Sequence, residues 1–323
     1  MKKVTVNKND AGQRLDKFIS KAFSKIPDSL VYKYIRKKRI KLNGKKSEIS
    51  AKLSEGDVIE LYINDELLEN FSFKEDFKKA STSLDIIYED QNILLVNKKP
   101  GLIVHPDKNF QIDCLINRIK NYLFQKNEYD LDKENSFTPS LVNRIDRNTG
   151  GIVIAAKNAE SLQILNQKMR SREISKSYIC IVSGEIKKKS GILKGYLEKN
   201  HEQNKVFIKN SKSENDSSKT IITKYKVMGS SPNFSLLEVN LLTGRTHQIR
   251  AHLASIGHPI LGDGKYGKNI LNRSLGYKYQ ALYSYKLKFD FKSDSKILNY
   301  LNGKEFDIPQ NKIWFVENFY ENL

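Results

Sequence analysis

Long apolar runs, metal-ligand spacings and cofactor fingerprints are all missing from this chain. No stretch approaches the ~18 apolar residues that crossing a bilayer needs, so no membrane partner is expected. The amino terminus reads Met-Lys-Lys and then alternating Val4-Thr5-Val6, without an apolar signal core. Cysteine is scarce. Cys114 and Cys180 sit in apolar surroundings with no CxxC spacing, which favours buried free thiols over a bridge or a metal site. Together these absences point to the cytoplasm. There is no GxSxG elbow, no P-loop and no dinucleotide-binding glycine pattern, so no nucleotide cofactor is expected. His247, His252 and His258 raise the question of zinc. No HExxH or CxxC accompanies them, and histidines five apart on a helix point in different directions, so no metal is expected either.

What the chain does have is positive charge. Its 323 residues carry 56 Lys+Arg against 37 Asp+Glu, a net of +19. A pI near 9.6 favours a polyanionic partner, nucleic acid ahead of an anionic membrane. Apolar residues make up 39%, enough for a packed interior, and the length suits two domains, one of them small.

The charge is uneven. Residues 1–64 hold 16 Lys+Arg and 7 Asp+Glu, a net of +9 in a fifth of the chain. Leu15, Phe18, Ile19 and Ala22 recur at helical spacing. Ser29 is placed to cap a second helix carrying Leu30, Val31, Tyr34 and Ile35. Arg36-Lys37-Lys38-Arg39 follows, then Ile40 and Leu42 lead into an Asn43-Gly44 hairpin turn. Gly56-Asp57 turns again before a strand, Val58 to Ile63. The basic residues cluster at one loop–helix junction, which suits a phosphate backbone better than a plain solvated face. Through RLDKFI, YIRKKRIKLNGKK and EGDVIEL this stretch resembles the RNA-binding module first known from ribosomal protein S-four.

Residues 65–83 mix charges with few periodic apolar positions and read as a linker. From 84 to 323 the pattern is of many strands with a few helices and no regular βαβ rhythm. Strands are expected at 85–88, 93–96, 152–156, 178–182, 221–227, 234–241 and 282–289, and helices at 159–170 and 246–256. The first of these helices should turn Leu162, Leu165 and Met169 inward. The polar stretch 201–219 reads as a loop. The fold class is therefore α+β: a small basic α/β module, then a larger domain on a mixed, largely antiparallel sheet.

Four segments carry candidate chemistry. Residues 143–151 read Asn-Arg-Ile-Asp-Arg-Asn-Thr-Gly-Gly, with Asp146 close to Arg144 and Arg147 and just before an apolar strand. A carboxylate flanked by guanidiniums is held ionised, fit to be a nucleophile, a base or an electrostatic stabiliser. Tyr178 opens an apolar strand after Lys176-Ser177, where it could stack on a base, although residue type alone favours an ordinary core tyrosine. The segment Gly244-Arg245-Thr246-His247-Gln248-Ile249-Arg250-Ala251-His252 opens a helix. Guanidiniums at a helix N-terminus suit phosphate or carboxylate. Arg245 and Arg250 cannot share a helix face, so one is expected to meet the site and the other the nucleic-acid backbone. The glycine-rich run 257–267 implies a shaped loop, structural by default.

Taken in order, NRIDRNTGG, the tyrosine of KSY, GRTHQIRAH and GHPILGD resemble the motifs of RluA-type RNA pseudouridine synthases, whose first motif reads HRLDRxTSG. VNKKPGLIVHP resembles that family's opening strands, and the likeness covers about residues 84–290. Asn143, Ile145 and Gly150 depart from the usual His, Leu and Ser, with Asp146 retained. The resemblance implies isomerisation of uridine to pseudouridine within RNA, with no cofactor, by a monomeric cytoplasmic enzyme of the large-subunit branch acting on 23S ribosomal RNA. It implies Asp146 as the essential carboxylate, Arg250 as its partner, and Tyr178 as the residue that stacks on uracil and takes the proton from carbon 5. Whether Asp146 attacks the ring, attacks the sugar or abstracts a sugar proton stays open. Arg144, Arg147, Arg245 and His247 would hold RNA at the site, and Arg36, Lys37, Lys38 and Arg39 would hold it at the amino-terminal module. The rival expectations are a non-catalytic ribosome-associated protein, a synthase acting on transfer RNA, and a metal-dependent hydrolase, for which no acidic cluster is evident.

Overall fold

A computed structural model describes residues 1–23, 25–68, 72–106, 112–200, 205–212, 217–267 and 275–321. Near the amino terminus, β1 (Lys2–Thr5), β2 (Ile40–Leu42), β3 (Lys45–Lys46) and β4 (Val58–Leu61) form a sheet in the order β1-β4-β2-β3. Two helices cover it, α1 (Leu15–Ala22) and α2 (Asp28–Arg36). Leu15, Phe18 and Ile19 from α1 and Val31 and Ile35 from α2 pack with Ile40, Ile59 and Leu61 in one apolar core. Burying each such side chain contributes roughly 1.5–3 kcal/mol. Ser29 does not cap α2. The helix starts one residue earlier, and the Pro27 carbonyl accepts from the Leu30 and Val31 N–H groups. The helix ends at Arg36, and Lys38 adopts a left-handed φ of 60°, so Arg36, Lys37, Lys38 and Arg39 stand exposed as one basic ridge. Asn43 and Gly44 both have positive φ, 51° and 74°, the geometry a two-residue hairpin turn requires.

Within 65–83 the described residues include helical turns. These are α3 (Asp65–Leu68) and a 3-10 helix, Ser72–Lys79, with Leu68 in the small core and Phe77 in the large one. The amino-terminal unit is also tied down by polar contacts. Asp10, fully buried, accepts from Asn135 Nδ2 at 2.7 Å, Ser136 N at 3.1 Å and Ser136 Oγ at 2.6 Å. Asn7 Nδ2 donates to the Lys133 carbonyl at 2.6 Å, and the Ala159 N–H donates to Asn9 Oδ1 at 3.1 Å.

Among the described residues the large sheet has eleven strands. They are β5 (Ile86–Glu89), β6 (Ile93–Lys98), β7 (Ser140–Leu141), β8 (Gly150–Ala156), β9 (Ile174–Ser183), β10 (Ser190–Asn200), β11 (Lys205–Lys209), β12 (Lys219–Ser230), β13 (Phe234–Leu241), β14 (Leu282–Phe289) and β15 (Glu305–Asp307). The spatial order is β11-β10-β12-β13-β9-β14-β8-β6-β5, with β15 on β14 and β7 on β8. Among these strands only β14 and β8 pair in parallel. The sheet is thus mixed and largely antiparallel, as the strand pattern predicts. β8 is buried at every position, which is why it reads as a continuous apolar run and not as an alternation. Helices α4 (Leu115–Gln125), α5 (Ala159–Arg170) and α6 (Gln248–Ser255) accompany it. In α5, Leu162 and Met169 are only partly buried, while Ile164, Leu165 and Lys168 turn fully inward. Lys168 is satisfied there by Glu173 Oε2 and the Ser293 carbonyl, each at 2.7 Å. Within 201–219, where a loop is expected, β11 pairs with β10; residues 201–204 and 213–216 lie outside the described residues.

One row across the sheet places the chemistry. Val239, Tyr178, Ser284 and Gly151 are successive cross-strand neighbours on β13, β9, β14 and β8. The last contact is very close. A Cβ added at Gly151, whose φ is +115°, would stand 2.1 Å from the Ser284 carbonyl oxygen. Gly151→Ala is therefore expected to cost about 3 kcal/mol or more. Gly12→Ala, at φ +79° in open space, should cost only about 1–2 kcal/mol. Chemical denaturation of both variants checks this; equal losses would show that β14 and β8 can move apart freely.

Candidate active site

Asp146 lies in the loop between β7 and β8, with its side chain 27% exposed. The loop is fixed from several sides. Asn143 runs alongside β8, accepting from the Ile154 N–H at 2.8 Å and donating to the Ile152 carbonyl at 3.3 Å. The Thr149 N–H closes a turn onto the Asp146 carbonyl at 3.1 Å, and Gln280 donates to Thr149 Oγ1 at 2.5 Å. Lys98, at the end of β6, is 1% exposed and sends its ammonium to the carbonyls of Lys99, Leu102 and Arg147 at 3.0, 2.8 and 2.9 Å. Burial pushes Lys98 down to about 7, while the charge of Asp146 pulls the other way. Three carbonyls match the three donors of an ammonium and favour that form as well.

Arg250 comes from the first turn of α6 and is 8% exposed. Its Nη1 donates to Asp146 Oδ2 at 2.7 Å. Its Nε and Nη2 grip both oxygens of Asp263, at 2.7 and 2.8 Å. Asp263 is wholly buried and also accepts from the N–H groups of Lys265 and Tyr266. Burial alone would raise the Asp263 carboxyl; its bonds to Arg250 outweigh that and hold it below the usual range. Burial likewise opposes the charge on Arg250, and the two carboxylates more than offset it. Among the described residues, nothing hydrogen-bonds the other Asp146 oxygen, Oδ1.

The segment before α6 differs from the sequence expectation. The helix begins at Gln248, not at residue 246, because His247 sits in the left-handed region with φ 53°. Such a conformation costs about 1–2 kcal/mol outside glycine. It lets the His247 and Arg250 side chains converge. His247 Nδ1 meets the Tyr266 hydroxyl at 3.0 Å, and Nε2 lies 3.8 Å from Asp146 Oδ2. Burial keeps this imidazole below its ordinary pKa, so it is neutral at neutral pH. The Arg250 guanidinium lies 5.3 Å from the centre of the Tyr266 ring, a cation–π contact. Gln248 anchors the turn, accepting from Thr243 Oγ1 and the Arg245 N–H and donating to Thr223 Oγ1.

Tyr178 is buried on β9, and its phenol is pushed up to about 12, first by burial and then by the charge of Asp146. That influence places the phenol within electrostatic reach of Asp146. Asp146, Arg250 and His247 are thus brought together by direct approach, with Tyr178 near enough to feel the Asp146 charge. Arg144, Arg147 and Arg245 are exposed around them, Arg147 steadied by an Nε bond to the Gly101 carbonyl at 3.1 Å. The ridge residues Arg36, Lys37, Lys38 and Arg39 belong to the amino-terminal unit and not to this cluster. His252 and His258 bond elsewhere, to Thr223 and to the Ser183 carbonyl. The sequence reading missed Asp263, Lys98 and Tyr266. Asp263 has a signal, as the acid of the GHPILGD segment that carries part of the family resemblance, but that segment reads as structural.

Comparison with known proteins adds the following. Residues 92–255 match the RNA pseudouridylate synthase family model, and residues 13–59 match the S4 domain model. An uncharacterized RNA pseudouridine synthase of Mycoplasma capricolum subsp. capricolum is 37% identical, over 97% of this chain and 99% of that protein. Ribosomal large subunit pseudouridine synthase D of Borreliella burgdorferi is 30% identical, over 96% of this chain and 90% of its own. The structure of human RNA pseudouridylate synthase domain containing 4 aligns with a TM-score of 0.57 at 21% identity, covering 77% of this chain and 97% of that one. This last likeness is one of fold.

The buried histidine of α6 gives a pH test. His252 is held down to about 4 by burial, so the folded protein keeps it neutral while the unfolded chain takes up a proton below 6.5. Its contribution is present above pH 6.5 and is lost as pH falls towards 4, by at most about 3 kcal/mol. Denaturation curves of wild type and His252→Gln should diverge less at pH 4.5 than at pH 7. A constant difference would remove His252 from the acid sensitivity of the fold.

Proposed function

The chain belongs to the RNA pseudouridylate synthase family, and from that premise we propose that it isomerises specific uridines of 23S ribosomal RNA with Asp146 as the essential carboxylate. The observation that supports this most is the Asp146–Arg250 pair: one carboxylate oxygen is fixed at 2.7 Å and the other is left for a nucleotide. The reaction breaks the glycosidic bond to nitrogen, turns the uracil and joins it through carbon, with no redox change and no group donor. Attack on the ring, attack on the sugar and removal of a sugar proton all need an aimed oxygen next to an everted nucleotide, which is what this pair offers. Eversion costs a few kcal/mol. Stacking on Tyr178, worth ~1–3 kcal/mol, offsets much of it. A phenol near 12 is almost wholly protonated at neutral pH, so Tyr178 meets the base as a ring and a hydrogen-bond donor; it can take the proton from carbon 5 only once it has passed its own proton to solvent. Arg144, Arg147, Arg245 and His247 ring the opening and hold the RNA there.

The large-subunit assignment draws on the relative from Borreliella burgdorferi, which is named for that substrate. The basic ridge at Arg36, Lys37, Lys38 and Arg39 supplies sequence-independent phosphate contacts. The setting this implies is the cytoplasm, where ribosomal RNA is met.

Asp146→Asn should fold, bind RNA and form no pseudouridine, and 23S RNA from cells carrying only this variant should lack the marks present with wild type. Pseudouridine made by the variant would dismiss Asp146 from the role. Replacing Lys37 and Lys38 with glutamine should flatten the dependence of log affinity on log salt by about 0.7–0.9 for each phosphate that the ridge no longer neutralises. An unchanged slope would place the RNA off the ridge.

A further inference from the structure

A cleft of about 900 Å³ opens against the Asp146 loop without including Asp146. Its walls are the turn after β6, residues 147 and 148, the segment 278–279 ahead of β14, and the start of α4 with the chain before β5. Several of its charges are already engaged. The Lys98 ammonium serves three carbonyls, Arg118 grips both oxygens of Asp113, and Asp85 accepts from Asn97 Nδ2 at 2.8 Å. Lys99, Arg147 and Lys278 are all exposed, and among the described residues none of the three is ion-paired; Arg147 gives only its Nε to the Gly101 carbonyl, and the Lys278 ammonium lies 5.5 Å over the Tyr279 ring. Tyr279 is half-buried beside them, and its phenol faces Gly101 so closely that a Cβ there would stand 2.9 Å from the hydroxyl. The cleft therefore offers three cations on three different loops and one aromatic ring.

We propose that this cleft binds the single-stranded RNA adjoining the everted uridine, with phosphates against Lys99, Arg147 and Lys278 and a base against Tyr279. The inference rests on the reading of the chain as a synthase acting on RNA. A uridine that leaves its stack pulls its neighbours out of regular geometry, and an enzyme that everts bases needs places for them. Cations spread over three loops, around a volume at the top of the small-ligand range, suit a run of phosphates better than a single anion. Arg147 adjoins Asp146 in the chain, so an RNA in the cleft passes one residue from the group that meets the target.

The test is the affinity of the full-length protein for a labelled single-stranded oligouridylate across a salt series. Lys99→Gln/Lys278→Gln should raise Kd and reduce the log–log slope by about 1.4, twice the single-strand value per phosphate. The control Lys187→Gln/Lys189→Gln removes the same charge from the exposed loop between β9 and β10 and should leave the slope close to wild type. Equal slopes for wild type and the cleft variant, or equal effects from cleft and control, would overturn the proposal. Affinity is read without product. A wild type that binds but makes no pseudouridine would count against the catalytic reading alone, and the slopes would still decide the cleft.

Discussion

One guanidinium serves two carboxylates, and the site is arranged around that fact. Arg250 gives Nη1 to Asp146 and keeps Nε and Nη2 for Asp263. A buried cation with a single exposed partner would be costly to hold, since desolvation of each ion amounts to several kcal/mol. Asp263, wholly enclosed and bound through both oxygens, supplies the compensating charge and fixes the plane of the fork. Arg250 is then aimed at Asp146 before any substrate arrives, and little reorganisation is left for the reacting state. Three separate stretches meet in this one contact: the loop before β8, the start of α6 and the glycine-rich turn at 262–264.

The same arrangement explains what the sequence discloses and what it hides. Asp146, Tyr178 and Arg250 stand in local patterns that repeat across a family, so their proximity is legible without coordinates. Asp263 closes the GHPILGD segment, yet nothing in that segment says that its carboxylate is buried and grips Arg250 through both oxygens. Lys98 and Lys99 are adjacent and chemically identical, yet one is buried among carbonyls and the other is exposed. Which of two neighbouring lysines turns inward depends on strand pleat and on a turn that closes 49 residues later in the chain, at Arg147. His247 was legible as a site residue, but its left-handed backbone was not, because nothing in a histidine announces it.

The fold shows a similar division. β8 and β9 are apolar enough to be seen, and the α1 and α2 faces follow helical spacing. β11 forms the far edge of the sheet, and its short apolar run, Val206 to Ile208, is lost among the polar residues of 201–219, which read as loop. Residues 65–83 carry few periodic apolar positions, and among the described residues Phe77 is the one from this stretch in the large core.

The buried carboxylate of Asp10 has a bearing on how RNA is chosen. Its bonds to Asn135 and Ser136, with Asn7 on Lys133 and Asn9 on Ala159, join the amino-terminal unit to the body at several points well away from the covalent connection. A unit hung on a tether would let any basic-ridge contact coincide with any uridine within reach. On the proposed reading, a unit bolted in this way is a caliper, whose jaws are the ridge and the carboxylate at 146, and only an RNA whose own folding spans the same gap would touch both.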